Sequence, residues 1–91
     1  MYDILYHQLV VKNDIPKLGT AERKRIKQAI ETKLTTHPEI YGVPLHHSLV
    51  GYRKLRVGDY RIVFRITKKQ VIILIIAHRR EVYEVINKRT K

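Results

Sequence analysis

The stretch of sequence that decides the fold is Tyr52-Arg53-Lys54-Leu55-Arg56-Val57-Gly58-Asp59-Tyr60-Arg61-Ile62-Val63-Phe64, which has the pattern of a β-hairpin. Two β-prone runs flank Gly58-Asp59, a dipeptide typical of tight two-residue turns. This turn places Val57 opposite Tyr60 and Arg56 opposite Arg61. Because side chains alternate across a sheet, one face of the hairpin is apolar, and the other carries Tyr52, Lys54, Arg56, Arg61 and Arg65.

Two further strands are predicted on either side of the hairpin. A short β-prone run at Tyr2–Tyr6 predicts a first strand, and the hairpin strands are expected over Tyr52–Val57 and Tyr60–Ile66. The run Val71–Ala77 is apolar at every position, which is typical of a central strand buried on both faces.

Helices are predicted mainly between the first strand and the hairpin. Asn13 or Asp14 is expected to cap a short helix that ends at Gly19, and Thr20 to cap a longer helix that Pro38 ends. Residues 38–50 lack a period and are predicted to form a loop, and the tail from Arg80 to Lys88 a final helical turn or two. The sequence therefore predicts one α+β domain over residues 1–91, ordered β-α-α-β-β-β-(α), with a small antiparallel sheet and helices packed on one face.

The composition restricts the chain to a small globular class. Its 91 residues are 44% hydrophobic and 30% charged, which fits one folded domain rather than a disordered chain. The absence of cysteine excludes a disulfide framework and a thiolate zinc site. No apolar run is long enough to span a membrane, and the start lacks the layout of a secretory signal. We therefore expect a cytoplasmic protein with no metal and no cofactor.

The positive charge is large and concentrated in the second half of the chain. Lys and Arg number 19 against 8 Asp and Glu, a net charge of +11, and residues 51–91 contain twelve of these cations against three acids. Such self-repulsion destabilises a compact chain unless an anionic partner lies against it. Nucleic acid is the first candidate partner, an acidic protein the second and a membrane surface the third. The remaining alternative is a basic protein whose charge only keeps it soluble and binds no specific partner.

The polar face of the hairpin is the strongest candidate for an anion site. Lys54, Arg56, Arg61 and Arg65 share it with no acid between them, and Arg56 directly opposes Arg61. A like-charged pair in that position destabilises a sheet by roughly 0.2–1 kcal/mol. A solvated sheet face is the structural alternative, but such faces usually mix Thr, Ser, Glu and Lys. The pattern therefore favours phosphate, which arginine binds through two parallel hydrogen bonds.

A second cluster, His78-Arg79-Arg80-Glu81-Val82-Tyr83, follows the predicted central strand. The structural alternative is that this cluster is the end of a strand that turns into a capped tail and has no function of its own. If Lys68-Lys69 is also a two-residue turn, alternation puts His78 and Arg80 on the Arg61 face, and a change of register by one residue reverses this. Geometry does not choose between Arg79 and Arg80.

Together, the runs Gly51–Phe64 and Ala77–Tyr83 resemble the RelE branch of the RelE/ParE toxin superfamily. The helical segments 14–18 and 31–38 are similar to that family as well, so the resemblance covers essentially the whole chain. It implies the toxin of a type II toxin–antitoxin pair, an endoribonuclease that cleaves messenger RNA in the ribosomal A site without a metal. In such enzymes the RNA 2′-hydroxyl attacks the adjacent phosphate, leaving a 2′,3′-cyclic phosphate and a 5′-hydroxyl.

The resemblance also implies roles for individual residues. Lys54 matches a lysine proposed as base or charge stabiliser, and Arg61 matches the arginine that holds the scissile phosphate. Arg79 matches an arginine proposed as general acid or stabiliser, with Arg80 its rival, and Tyr83 matches the tyrosine that stacks on the reacting nucleotide. RNA or phosphate contacts are expected from Arg53, Arg56, Arg65 and Arg80, and His78 is a candidate acid–base residue.

Partners and competing functions follow from the same resemblance. The expected partners are the ribosome, messenger RNA and a cognate antitoxin whose acidic or amphipathic segment covers the basic half, giving a toxin–antitoxin hetero-oligomer. No membrane partner is expected. One alternative is a ParE-like inhibitor of DNA gyrase on the same fold, and another is a nucleic-acid-binding relative without catalysis.

Overall fold

A five-stranded mixed sheet organises the molecule. The computed structural model describes residues 1–46 and 49–90. The strands are β1 (Asp3–Tyr6), β2 (Val43–Pro44), β3 (Tyr52–Val57), β4 (Tyr60–Thr67) and β5 (Gln70–His78), in the spatial order β1-β5-β4-β3-β2. The α+β prediction is confirmed, but the sheet is not wholly antiparallel. Strand β1 lies parallel to β5, which is possible because helices rather than a hairpin follow β1.

The helical segments lie mostly between β1 and β2. A π-helical turn (Val10–Asp14) and a 3-10 turn (Ile15–Lys17) precede α1 (Thr20–Ala29), which continues as a second π-helical turn (Ile30–Leu34). Two helices follow, α2 (Pro38–Tyr41) and α3 (Val82–Arg89). Ile26, Ile30 and Leu34 are buried, as their spacing predicts. Gly19, rather than Thr20, is the N-cap of α1.

The hairpin of β3 and β4 has the register that the sequence predicts. Val57 pairs with Tyr60, Arg56 with Arg61, and Leu55 with Ile62. Gly58 has φ +59°, a left-handed conformation that glycine adopts without cost and that tight hairpin turns require. The turn therefore fixes which side chains share each face of the sheet.

We expect Gly58→Ala to destabilise the fold by about 1–2 kcal/mol, because an L residue with a Cβ is strained in the left-handed region. The new Cβ would also lie 2.8 Å from Nη1 of Arg25, so that flexible side chain must shift. Urea unfolding measures the change. Gly58→Asn is the matched control, since asparagine tolerates this conformation better. Equal stability of the alanine variant and the wild type would contradict the prediction.

A bulge in β5 sets the faces of the last strand. Val63 pairs with Ile75 but the next residue, Phe64, pairs with Ile73, so Leu74 is the extra residue. A bulge of this kind reverses the alternation beyond it. His78 consequently faces the side of the sheet that α1 covers. The prediction that places His78 with Arg61 assumes regular pairing, and it is wrong for this reason.

Both faces of the sheet are covered, which corrects the prediction of helices on one face only. On one face, α1 packs its buried stripe against residues that include Phe64 and Ile73. On the other face, Val82 and Ile86 of α3 pack against Val63, Ile75 and Ala77. Strand β5 lies between β1 and β4 and is buried on both sides, as its uniform apolar sequence predicts.

A buried ion pair joins the two ends of the chain. Arg89 of α3 donates two hydrogen bonds to the Asp14 carboxylate, at 2.6 and 3.1 Å, and a third to the carbonyl of Leu74. The backbone N–H of Ile76 donates to the same carboxylate at 2.9 Å. Strand β1 pairs with β5 only as far as Ile73. Beyond that point, the Asp14 carboxylate takes over the hydrogen bonding along this edge of β5. Asp14 stands at the N-cap position of the 3-10 turn, as the sequence predicts, but its side chain makes no capping hydrogen bond there and is a buried anchor instead.

The predicted loop over residues 38–50 contains two short elements, α2 and β2, and its residues 47 and 48 lie outside the described part of the chain. Arg53 fixes this segment by donating to the carbonyls of Glu39 and Gly42, at 3.1 and 2.9 Å. Phe64 packs against Gly42, where a Cβ would approach its ring to 2.2 Å. These contacts are long-range, which explains why local sequence pattern does not indicate the two elements.

Candidate functional site

Lys54 and Tyr83 meet on the face of the sheet that α3 covers. The Lys54 ammonium donates a hydrogen bond of 3.0 Å to the Tyr83 hydroxyl and lies 5.3 Å from the centroid of its ring. Buried Val82 and Ile86 anchor α3, which leaves Tyr83 on the surface with 54% of its area exposed. The result is an aromatic ring beside a cation, open to a ligand that carries both a base and a phosphate.

Arg56 and Arg61 lie side by side on the same face. They are directly paired in the ladder between β3 and β4. The Nη1 atom of Arg61 donates to the carbonyls of Gly58 and Tyr60, both at 3.0 Å, which ties the guanidinium to the turn. The four ion pairs found among the described residues involve none of Lys54, Arg56 and Arg61. Two arginines that are paired in the ladder and line one groove are suited to an anion.

An open groove of about 460 Å³ connects these cations to the free edge of β3. Among the described residues, its lining contains four cations and no carboxylate; the lining residues are Lys33, Tyr41, Val43, Lys54, Leu55, Arg56 and Arg61. We call this set the cationic groove. A cleft lined by one sign of charge attracts ligands of the opposite sign. Its chemistry therefore matches a phosphate-containing chain.

Arg79 and Arg80, between which the sequence does not choose, occupy different places in the structure. The backbone N–H of Arg79 donates to the carbonyl of Asp59 at 2.8 Å, and its Nε lies 3.8 Å from the Asp59 carboxylate. Arg79 is thus held beside the hairpin turn, at the end of the sheet where Arg61 lies. Arg80 is exposed, and its backbone N–H donates to Nδ1 of His78 at 3.2 Å. Neither arginine lines the cationic groove.

Three other predicted site residues lie away from the cationic groove. Arg53 points to the opposite face, where it bonds the α2–β2 segment. Arg65 shares the face of Arg61 but lies four residues further along β4, about 13 Å at the usual strand rise. His78 lines a cavity of about 300 Å³ that also includes Lys17 and Leu18, and it packs edge-on against Tyr60, at 5.5 Å between ring centroids.

The charged and aromatic residues of the cationic groove include two that are absent from the sequence prediction of the site. Lys33 and Tyr41 come from the π-helical end of α1 and from α2, and the Lys33 ammonium lies 5.5 Å from the Tyr41 ring centroid. Tyr41 is 45% exposed although it is a large aromatic residue. The exposure of Tyr41 is visible only in the structure, and no signal in the local sequence marks this residue as functional.

Residues 1–46 and 49–90 contain no group of three or more His, Cys, Asp or Glu side chains arranged to hold a metal ion. In the same residues, no helix combines the length and the apolar character needed to cross a membrane. The chemistry available at the cationic groove is thus that of ammonium, guanidinium and phenol groups.

Comparison with known structures defines the class of fold. The chain resembles the RelBE2 toxin–antitoxin complex from Mycobacterium tuberculosis with 28% identity and a TM-score of 0.80, over 86% of this chain and 98% of that chain. It resembles the RelB–RelE complex from Methanococcus jannaschii with 25% identity and a TM-score of 0.67, over 89% and 96% of the two chains. The isolated E. coli RelE toxin has the same fold, at 22% identity and a TM-score of 0.65 over both full lengths.

A family model agrees with this class. Residues 7–83 match the model of the ParE toxin of type II toxin–antitoxin systems, which is most of the chain. None of the curated proteins matches the chain. The chain therefore belongs to the ParE toxin family, within the RelE/ParE superfamily of toxins from type II toxin–antitoxin systems. The resemblance seen in the sequence to this superfamily is confirmed.

Proposed function

We propose that this toxin is a metal-independent endoribonuclease that cleaves messenger RNA in the ribosomal A site. One observation carries the proposal: Lys54 contacts the exposed ring of Tyr83 and shares the cationic groove with Arg56 and Arg61, and among the described residues none of these three cations is paired with a carboxylate. Single-stranded RNA offers a phosphate to the cations and a base to the ring, and both contacts are used by proteins that bind it. A site for gyrase alone would not need this pairing of cation and tyrosine.

The proposed reaction is an attack of the 2′-hydroxyl on the adjacent phosphorus. A bond forms between phosphorus and the 2′-oxygen, the bond to the 5′-oxygen breaks, and the products are a 2′,3′-cyclic phosphate and a 5′-hydroxyl. The 2′-hydroxyl gives up its proton and the leaving 5′-oxygen gains one, so protons balance. Negative charge increases on the phosphorane oxygens, and preorganised cations stabilise such charge.

Each residue of the site has a role in this proposal. Arg61 and Arg56 hold the scissile phosphate and stabilise the phosphorane. Lys54 adds charge stabilisation or acts as the base, and it holds the Tyr83 hydroxyl, which positions the ring to stack on the reacting nucleotide. Arg79 lies outside the cationic groove at the end of the sheet where Arg61 lies, and we assign it charge stabilisation rather than proton donation, because a guanidinium does not give up its proton in proteins.

A cognate antitoxin is the proposed inhibitor. The matched structures from M. tuberculosis and M. jannaschii are complexes of a toxin with its antitoxin. The basic half of this chain, with twelve Lys and Arg against three acids in residues 51–91, is suited to an acidic or amphipathic segment of such a partner. We expect a hetero-oligomer in the cytoplasm, in which the antitoxin keeps RNA from the cationic groove.

Inhibition of DNA gyrase is the second candidate function, because the family model that matches residues 7–83 is that of ParE toxins. It requires no RNA chemistry at Lys54 or Tyr83. A binding protein of this kind would leave messenger RNA intact and would act on DNA topology instead.

We expect purified toxin to cut messenger RNA on translating ribosomes, at positions that primer extension maps to the A site. The same preparation is tested in parallel for inhibition of gyrase supercoiling. The expected result is messenger cleavage with unaffected gyrase, and protein mixed with excess antitoxin is the negative control. Intact messenger together with inhibited gyrase would select the ParE-like function.

A further inference from the structure

The cationic groove extends beyond the residues that hold the scissile phosphate. Strand β2 pairs only with Arg53 and Lys54, so among the described residues the β2 side of β3 has no strand beside it from Leu55 to Val57, while β4 pairs with the other side. The space beside this free edge is closed on its far side by Lys33, Tyr41 and Val43. A second half of the groove thus has its own cation and its own aromatic ring.

This second half repeats the chemistry of the first. Tyr83 is 54% exposed with the Lys54 ammonium 5.3 Å from its ring centroid, and Tyr41 is 45% exposed with the Lys33 ammonium at 5.5 Å. Lys54 contacts Tyr83 and also lines the groove that Tyr41 lines. Successive bases of a single strand stack on successive aromatic side chains in many single-strand-binding proteins. Lys54 thus connects one exposed ring with a groove that a second exposed ring lines, which matches that arrangement.

The segment that carries Tyr41 is fixed rather than free. Arg53 bonds the carbonyls of Glu39 and Gly42, which flank Tyr41 in the chain, and Pro38 at the start of α2 is buried. Holding a ring in place before the ligand arrives lowers the cost of binding. Arg53 therefore contributes to the groove indirectly, as a positioning residue on the opposite face.

We propose that Tyr41 and Lys33 form a second nucleotide subsite, in which the base next to the nucleotide on Tyr83 stacks on Tyr41 and its phosphate binds Lys33. The proposal rests on the proposed function for the identity of the ligand as RNA. A single strand of RNA is favoured over an acidic peptide because two of the four cations of the groove, Lys33 and Lys54, each lie beside an exposed ring. The groove volume of about 460 Å³ is within the range of small-ligand sites.

The test uses the intact toxin and short RNA strands that contain 2-aminopurine, whose fluorescence falls when the base stacks. A 2′-deoxy sugar at the attacking position prevents cleavage, and the probe base is placed at each of three successive positions. Wild-type protein is expected to quench the probe at two neighbouring positions. Tyr41→Ala should restore fluorescence at one of them and weaken affinity roughly tenfold, the loss of one stacked base, whereas Tyr83→Ala should restore the other.

Two controls make the result specific to the ring of Tyr41. Tyr41→Phe keeps the ring and should retain the quenching. Ile40→Ala changes the preceding residue of α2, which is 69% exposed and does not line the cationic groove, and should bind like the wild type. Circular dichroism and thermal unfolding establish that the alanine variants are folded.

The outcomes separate this inference from the proposed function. If wild type cleaves messenger on ribosomes but Tyr41→Ala leaves quenching and affinity unchanged, the subsite is wrong and the ribonuclease proposal stands. If wild type quenches two positions in a Tyr41-dependent way but cleaves no messenger, the subsite stands and the ribonuclease proposal falls. Binding of an acidic peptide, but of no RNA, through Tyr41 would overturn the subsite.

Discussion

Replacing Arg61 by alanine is expected to slow messenger cleavage by about 10²–10³-fold, the usual cost of removing one preorganised donor from a charged transition state. Arg61 is half-buried, tied to the turn carbonyls at 3.0 Å and directly opposite Arg56. Its position is thus fixed before RNA binds. Arg61→Lys should recover little, because lysine lacks the planar fork that binds phosphate through two bonds.

Single-turnover cleavage on programmed ribosomes measures this effect directly. Lys68→Ala is the matched control, since it removes one exposed cation beyond the far end of β4 and should change the rate by less than about twofold. Growth arrest on expression provides a second readout, which Arg61→Ala should abolish. Full cleavage and full toxicity in Arg61→Ala, with the fold intact, would remove Arg61 from the site.

Removing the Arg89 side chain is expected to cost about 3–5 kcal/mol of unfolding free energy, the usual penalty for leaving a buried charge without its partner. Asp14 is only 6% exposed, and the Arg89 side chain only 11% exposed. In Arg89→Ala the Asp14 carboxylate and the Leu74 carbonyl both lose a donor. For a domain of this size, each kcal/mol lowers the melting temperature by about 4–8 °C.

The preceding residue, Lys88, supplies the control for that measurement. Lys88 pairs with Glu84 at 3.3 Å, with side chains 77% and 69% exposed, and exposed pairs of this kind contribute about 0.3–0.5 kcal/mol. Lys88→Ala should therefore unfold close to the wild-type urea midpoint. If Arg89→Ala and Lys88→Ala unfold at the same midpoint, the pair between Asp14 and Arg89 does not anchor the chain ends.

The local pattern of the sequence is sufficient for the hairpin and for the face that carries Lys54, Arg56 and Arg61. Gly58-Asp59 determines a two-residue turn, and alternation then determines every pair up to Lys54 opposite Val63. Similarly, the uniform apolar sequence of β5 is enough to place it centrally. These features depend on neighbours within a few residues or on strict periodicity, which a sequence displays directly.

Features that depend on distant contacts were not predictable in this way. The extra residue Leu74 reverses the faces of β5, and nothing in the apolar run from Val71 to Ala77 marks where the bulge falls. Asp14 stands at the predicted cap position, but its carboxylate is bonded by a residue 75 positions later in the chain, which the local sequence does not indicate. Tyr41 lines the cationic groove from a segment that Arg53 bonds through the carbonyls of Glu39 and Gly42, contacts that are distant in sequence.

The most direct test of the central claim uses messenger RNA with a single 2′-deoxy nucleotide on the ribosome. If the cationic groove promotes attack by the 2′-hydroxyl, the deoxy sugar at the attacking position should abolish cleavage. The same substitution one nucleotide away should leave cleavage intact, with a 2′,3′-cyclic phosphate on the product. Equal cleavage of both messengers, or a 3′-hydroxyl end on the product, would contradict this account of the protein.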